Sequence, residues 1–279
     1  MKNKKSRAFL KWAGGKYNLV EAITEQLPQG RKLIEPFVGA GSVFLNTDYP
    51  KYLLNDINPD LINLYNIVKT QSESYIADSA TLFNAQHNQE KRYYELRDKF
   101  NRSTDIYERA VLFLYLNRHG YNGLCRYNNS GGFNVPFGRY KAPYFPEKEL
   151  IFFAEKAKKA TFTCESFEKT FSKARKHSVI YCDPPYAPIS KTAMFNAYAK
   201  GGFTLDCQVR LAAIATRTFN HRNIPVLISN HDTEFTRSIY QDAEISTLQV
   251  SRFISQNGGN RKKAAELFAL YSHTSHISK

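Results

Sequence analysis

Short apolar runs alternate along this chain with stretches whose apolar residues recur every three or four positions. The run from Leu33 into the Gly39-Ala40-Gly41 turn, Tyr52–Asp56, Thr161–Cys164, Val179–Cys182 and Ile224–Ser229 predict short strands. Brief apolar runs bounded by turn-forming residues suit a sheet covered on both faces. Tyr17–Gln26, Val43–Asn46 and Ala154–Ala160 predict short helices, and Leu205–Phe219 a longer amphipathic one. Residues 61–116 read mostly as helix: Leu61, Leu64, Tyr65 and Val68 share one face, as do Tyr93, Leu96 and Phe100. Val250–Ser255 and Glu266–Tyr271 predict a closing hairpin. Strands interleaved with helices predict an α/β core, with no internal repeat and no low-complexity linker.

The strand Val179–Cys182 runs into Asp183-Pro184-Pro185-Tyr186. Two prolines fix φ and donate no backbone hydrogen bond, so the strand must stop there. Asp183 is thereby held at the carboxyl end of a strand, where open α/β sheets place their ligands. The proline carbonyls are left to accept hydrogen bonds, and Tyr186 offers a flat face beside them. This set suits a planar amine, a poor nucleophile because its lone pair is conjugated with its ring. The Asp183 carboxylate and the Pro184 carbonyl, taking the two amine hydrogens, favour a pyramidal nitrogen and free that lone pair. Stacking on Tyr186 holds the ring in plane. The plain alternative is a Pro-rich turn with a capping Asp; Tyr186 and the apolar strand before the turn favour chemistry.

Two glycine turns precede it. In Phe9-Leu10-Lys11-Trp12-Ala13-Gly14-Gly15-Lys16, Gly14 and Gly15 make a tight turn flanked by Lys11 and Lys16. Exposed amides there can cradle a carboxylate or phosphate at a helix start, whereas Trp12 alone is more often core. In the run Glu35 to Ser42 an apolar strand enters Gly39-Ala40-Gly41, and Ser42 is placed to cap the next helix. This resembles the first βα turn of a Rossmann-like unit, but Phe44 stands where a dinucleotide fingerprint has its third glycine. A nucleoside without pyrophosphate fits better. Asp56 follows Gly41 by 15 residues, close to the spacing of about 20 for a ribose-binding acid. Its plain alternative is a helix cap before Asn58-Pro59-Asp60. S-adenosylmethionine, with a ribose and no phosphate, suits both features.

The 279 residues carry 39 Lys and Arg against 25 Asp and Glu, a formal charge of +14 that points to a polyanionic partner. Cys125, Cys164, Cys182 and Cys207 form no Cys-x-x-Cys pair, so no zinc site or disulfide framework is expected. The start MKNKKSRAF has no apolar segment behind it, and the longest apolar run, Val111–Leu116, is too short for a bilayer. A cytoplasmic chain associated with the nucleoid, monomeric in solution, with no metal and no membrane partner, is the expectation.

From Arg109 to Pro146 there is no Asp or Glu. That stretch holds Arg109, Arg118, Arg126, Arg139 and Lys141, interleaved with Tyr121, Tyr127, Phe133, Phe137, Tyr140 and Tyr144 on glycine-rich loops. Arginines for phosphates and guanine edges, with aromatics to wedge or stack, suit nucleic acid. Ala187–Gly202 reads as a lid and Gln256–Lys263 as a basic phosphate grip.

Taken in order, FLKWAGGK, EPFVGAGSVFLN, LNRHGYNGLCRYN, NVPFGRYK and CDPPY resemble the Dam-type DNA adenine methyltransferases over nearly the whole chain. The resemblance implies a Rossmann-like, S-adenosylmethionine-dependent methyltransferase core with an inserted, mostly helical DNA-recognition domain and a C-terminal β-hairpin. It implies residues 1–58 and 147–279 as the core and 59–146 as the target-recognition domain. It further implies methylation of the adenine exocyclic amine in double-stranded DNA, at GATC, with the base flipped out. Carried over by position, Trp12, Lys16, Glu35, Phe37, Gly39, Gly41, Asp56, Ser166 and Asp183 line the cofactor site. Asp183, Pro184 and Tyr186 form the catalytic turn. Lys11, Tyr121, Asn122, Leu124, Arg126, Pro136, Arg139 and Tyr140 touch DNA.

Four rivals are weaker. Cytosine-amine enzymes usually resemble Ser-Pro-Pro-Tyr, and RNA or protein-glutamine enzymes Asn-Pro-Pro-Tyr. Chemistry at cytosine carbon-5 needs a cysteine nucleophile, and Cys182 lies on an apolar strand. A DNA-binding protein with a dead cofactor fold would not need Gly39, Gly41, Asp56 and Asp183 intact.

Overall fold

The computed structural model describes residues 5–187, 202–250 and 264–273. Most of the lid stretch, the Gln256–Lys263 loop and residues 251–255 of the expected hairpin lie outside the described residues. In chain order the strands are β1 (Lys32–Glu35), β2 (Lys51–Asn55), β3 (Ala160–Thr163), β4 (Ser178–Cys182), β5 (Val226–His231), β6 (Glu244–Val250) and β7 (Ala264–Tyr271). The helices are α1 (Val20–Gln26), α2 (Ser42–Asn46), α3 (Pro59–Thr70), α4 (Ser72–Ala80), α5 (Glu90–Arg102), α6 (Ile106–His119), α7 (Glu147–Ala157), α8 (Phe167–Ser172), α9 (Leu205–Arg222) and α10 (Glu234–Ile239). The chain is therefore mixed α/β, and it divides into two compact units.

The first unit comprises Met1–Glu25 and Val38–Cys164. β2 and β3 pair in parallel, with Tyr52 opposite Ala160 and Asn55 opposite Thr163. Helices α3 to α6, expected in the recognition domain, share this unit with β2, β3 and α7. Helix α3 starts where Asn58 accepts from the amides of Asp60 and Leu61, with Pro59 at its first turn. Its buried stripe is Leu61, Leu64, Tyr65 and Val68, the spacing read from sequence. Asp105 caps α6 in the same way, and α6 is buried almost all round from Leu112 to His119.

The second unit comprises Gln26–Phe37 and Glu165–Lys279. β1, β4 and β5 run parallel, with Ile34 opposite Ile180 and Cys182 opposite Ile228. β7 lies antiparallel between β5 and β6, so one reversed strand is set in just before the edge strand β6. All five residues of β4 are buried, as expected of a central parallel strand.

The structure corrects several boundaries. Helix α7 begins at Glu147, and Ala160 already belongs to β3. β5 continues through Asn230 and His231. A strand ahead of the expected Val250–Ser255 runs over Glu244–Val250; its polar run lies at a sheet edge, where no buried face marks it. Ser42 does not cap α2, because it is the first helical residue; Gly41, at φ +73°, is the cap, with no side-chain hydrogen bond.

Candidate functional site

The Asp183-Pro184-Pro185-Tyr186 turn leaves the end of β4 within the second unit. Neighbouring strands supply its partners. Ser229 of β5 donates to Asp183 Oδ1 at 3.3 Å and sits 2.9 Å from the Tyr181 hydroxyl. The Tyr186 hydroxyl donates to the carboxylate of Glu266 on β7, which is buried. The Tyr186 ring stands edge-on to His231, with centroids 4.7 Å apart. Burial first, then the charges of Asp183 and Glu266, push the Tyr186 phenol well above its ordinary range, so it is a neutral ring with a fixed donor. The two proline carbonyls differ, contrary to the expectation that both stay open. Gln208 Nε2 donates to the Pro185 carbonyl at 2.7 Å, whereas among the described residues no group donates to that of Pro184. Cys182 is wholly buried, and burial pushes its thiol well above the usual range, which makes it inert.

In the first unit the Gly39 turn is clamped. Asp56 accepts from the Gly39 amide at 3.1 Å through Oδ2 and from the Asn58 amide at 3.0 Å through Oδ1. Tyr65 donates to the Gly39 carbonyl at 2.5 Å. Burial pushes the Asp56 carboxyl upward, opposed by the amides of Asn58, Gly39 and Ile57. Since Asn58 caps α3, Asp56 is not the helix cap. Gly39 sits at φ +47°, and a Cβ there would come within 2.9 Å of Trp12 Nε1, so the indole lies against the turn. Lys16 Nζ reaches back to the Gly14 carbonyl at 2.9 Å, and Gly15 closes the loop onto the Trp12 carbonyl at 3.2 Å.

The remaining residues assigned to the cofactor lie in the second unit. Glu35 is buried at the end of β1. Phe37 packs against Phe167 and Phe203, with centroids 5.7 and 5.4 Å away. Ser166 caps α8 by accepting from Lys169.

Back in the first unit, the segment after α6 folds as a short hairpin-like loop. The Tyr121 amide donates to the Pro136 carbonyl at 2.8 Å, and isolated bridges join Gly120 to Phe137 and Tyr127 to Phe133. Gly123, at φ +61°, lies against the Lys11 side chain so closely that a Cβ would overlap it. Lys11 Nζ sits 3.9 Å above the Tyr140 ring, and the Tyr140 hydroxyl accepts from the Asn122 amide at 2.9 Å. Burial, then the Arg118 charge, pushes the Lys11 amine down. Asn117 of α6 holds Lys11 by its backbone, at 2.8 Å on both the amide and the carbonyl. Thus Lys11, Tyr121, Asn122, Pro136 and Tyr140 are brought together, with Tyr121, Asn122 and Pro136 exposed and Leu124 half-buried. Arg126 is exposed yet oriented: Asn134 accepts from its Nε at 2.8 Å through Oδ1, and from its other edge at 3.1 Å through the backbone. Arg139 is exposed, at φ +54°, and only loosely near Glu90 at 3.7 Å.

Part of the basic and aromatic set proves to be core. Arg109 grips Asp60 with two hydrogen bonds of 2.9 Å and reaches the Phe100 and Ser103 carbonyls as well. Arg118 is buried, donates to the Phe9 carbonyl at 2.8 Å, and has its guanidinium pKa pushed down to about 10 by burial. The Tyr127 hydroxyl donates to Asp60 at 2.7 Å, and Phe133 is buried with its backbone held by Asn101. An acid-free window hid these pairs because their partners, Asp60 and Phe9, lie outside it. Glu266, Ser229 and Gln208 had no local signal either.

A Gly-x-Gly βα turn clamped by a half-buried acid, and an Asp-Pro-Pro-Tyr turn ending a buried parallel strand, place this chain among the α/β methyltransferases that act on amino groups. A model of the D12 class N6 adenine-specific DNA methyltransferases matches residues 12–254, and the chain belongs to that family. A DNA adenine methylase of Vibrio cholerae is 58% identical over 275 residues, 99% of both chains. Those of Escherichia coli K12 and Salmonella typhi are each 60% identical over 268 residues, 96% of both chains. The chain is thus an adenine-specific DNA methyltransferase. Among the described residues no helix is long and apolar enough to cross a membrane, and no three His, Cys, Asp or Glu side chains group as metal ligands.

Proposed function

We propose that the protein transfers a methyl group from S-adenosylmethionine to the exocyclic amine of adenine in double-stranded DNA, at GATC, with the target base flipped out of the helix. The observation that carries this reading is the pair of acceptors at the end of β4: the Asp183 carboxylate, steadied by Ser229, beside a Pro184 carbonyl that no described group occupies while that of Pro185 is taken. Accepting both amine hydrogens concentrates electron density on the nitrogen. Tyr186 stacks on the base, a role its neutral, anchored ring supports.

S-adenosylmethionine supplies an electrophilic methyl on a sulfonium, which needs no Lewis acid. The Gly39 turn fits it: the space a Cβ would fill is bounded by Trp12, and Asp56 is a half-buried acid suited to ribose hydroxyls. Trp12, Lys16, Glu35, Phe37, Gly39, Gly41, Asp56, Ser166 and Asp183 are the residues assigned to it. For DNA, residues 59–146 act as the recognition region. Arg126, oriented by Asn134, reads a guanine edge with Leu124 and Pro136 beside it. Tyr121 and Asn122 enter the duplex, and Lys11, Arg139 and Tyr140 grip it. The relatives' shared name, DNA adenine methylase, supports the base and the polymer.

The test is methylation of an unmethylated plasmid with tritiated S-adenosylmethionine, followed by nucleoside analysis and mapping. Label in N6-methyl-2′-deoxyadenosine at GATC is expected, and Asp183→Ala should lose about 10²–10³-fold or more in rate with cofactor and DNA binding retained. Label on cytosine, or near-normal turnover in Asp183→Ala, would overturn the reading.

A further inference from the structure

In the turn that carries Asp183 and Tyr186, Pro184 and Pro185 have no amide hydrogen, so neither residue's own N–H can tie the turn to a neighbour. Yet the Pro185 carbonyl and the Ala187 amide, on either side of Tyr186, are both engaged. The Ala187 N–H donates to Asn230 Oδ1 at 3.1 Å. Asn230 Nδ2 donates to Gln208 Oε1 at 3.0 Å. Gln208 Nε2 donates to the Pro185 carbonyl at 2.7 Å. A backbone amide can only donate and a backbone carbonyl can only accept, so the orientation of both side-chain amides is forced. Tyr240 closes the group: its hydroxyl accepts from Asn230 Nδ2 at 3.2 Å and donates to Gln208 Oε1 at 3.3 Å. Asn230 Oδ1 also accepts from the His231 amide at 2.9 Å, so the Asn230 amide is saturated. Gln208, Asn230 and Tyr240 expose 1%, 0% and 0% of their surface. They come from three different elements, α9, β5 and the end of α10.

We propose that Gln208 and Asn230 are positioning residues of the methyl-transfer step. Their one-way relay of hydrogen bonds joins the Pro185 carbonyl to the Ala187 amide, and it sets the peptide planes on both sides of Tyr186. By occupying the Pro185 carbonyl it also leaves the Pro184 carbonyl as the acceptor next to Asp183. Neither side chain touches the base. The inference rests on the reading of Asp183 and Tyr186 given above. A well-packed amide pair could serve folding alone, but folding needs no directional link between the two ends of a catalytic turn. Groups that act as one unit are also strongly non-additive.

The experiment measures single-turnover methyl transfer to a GATC duplex, equilibrium binding of S-adenosylmethionine and of DNA, and thermal midpoints. The variants are Gln208→Met, Asn230→Asp, their combination, and Asp183→Ala. Gln208→Met should slow transfer at least tenfold while both dissociation constants stay within threefold. The combined variant should be no slower than the slower single one. Transfer within threefold of the parent in folded Gln208→Met would overturn the proposal, as would a loss matched in the binding constants or rate losses that multiply in the combination. Should Gln208→Met fail to fold, the isosteric Gln208→Glu, which cannot donate to Pro185 when ionised, carries the same expectations. Normal transfer by Asp183→Ala would bring down the reading of the turn itself. An inert Asp183→Ala beside a normal Gln208→Met would bring down only the relay.

Discussion

Acidification should loosen this protein through one residue, His119, at the end of α6. Its ring is fully buried, stacked on Tyr115 with centroids 4.0 Å apart and edge-on to Phe83 at 5.0 Å. Nδ1 donates to the Tyr115 carbonyl at 3.0 Å, which leaves Nε2 unprotonated and without a hydrogen-bond partner among the described residues. Protonation would put a charge and an unmatched donor into an aromatic pocket, so burial pushes the pKa from 6.5 down to about 4. The unfolded chain binds this proton near pH 6.5, the folded chain near pH 4. Stability from the neutral ring is therefore complete above about pH 6.5 and is lost as pH falls from there towards 4, with a slope of about 1.4 kcal/mol per pH unit. At pH 5 the loss from this one group is about 2 kcal/mol, approaching about 3 kcal/mol below pH 4. The assay is urea unfolding of the parent and of His119→Phe, which keeps a ring in the pocket, at several pH values from 7.5 to 5. The two curves of unfolding free energy should converge on acidification by about 2 kcal/mol. Parallel curves would refute the assignment. The effect also reaches the candidate DNA surface, since the His119 carbonyl accepts from the Gly138 amide at 2.8 Å.

Three other outcomes follow from side-chain placement. Arg126→Ala should cost about 1–3 kcal/mol of discrimination at one base pair, whereas Arg139→Ala should weaken binding to all duplexes and lower the salt slope by about one unit; uniform losses in both across a panel of singly altered sites would deny Arg126 a reading role. Tyr186→Phe keeps the stacking ring but strips buried Glu266 of its phenol donor, so it should transfer methyl better than Tyr186→Ala yet unfold about 1–3 kcal/mol more easily than the parent, a cost that an unchanged urea midpoint would disprove. Arg109→Ala should destabilise by about 3–5 kcal/mol because it strands the buried Asp60 carboxylate, and Arg109→Lys should rescue little, since one ammonium cannot reproduce the two-pronged grip; full stability in either variant contradicts the pairing.

The parts of the site legible in the sequence were those whose physics is local. Prolines after an apolar strand end it wherever it lies, and glycines before a helix turn the chain tightly in any fold, so the Asp183 turn and the Gly39 turn could be placed by reading alone. The Leu61, Leu64, Tyr65 and Val68 stripe worked for the same reason: 3.6-residue periodicity belongs to the helix itself. Reading failed where burial depends on a distant partner. Arg109 and Arg118 looked like phosphate ligands because the window around them lacked acids, but Asp60 and the Phe9 carbonyl reach them from far along the chain.

Sequence by itself therefore determined the family motifs, the α/β alternation, the excess of positive charge and the identity of the acid at the end of β4. Tertiary structure decided which proline carbonyl is occupied, what anchors the Tyr186 hydroxyl, which arginines are staples and which are exposed, and that Asp56 clamps a glycine rather than caps a helix. Hydrogen bonds are short-ranged and directional, so their partners are chosen by strand register and helix docking. Glu266 meets Tyr186 because β7 pairs with β5 so that Glu266 lies opposite His231, a register set by the buried faces of both strands over their whole length.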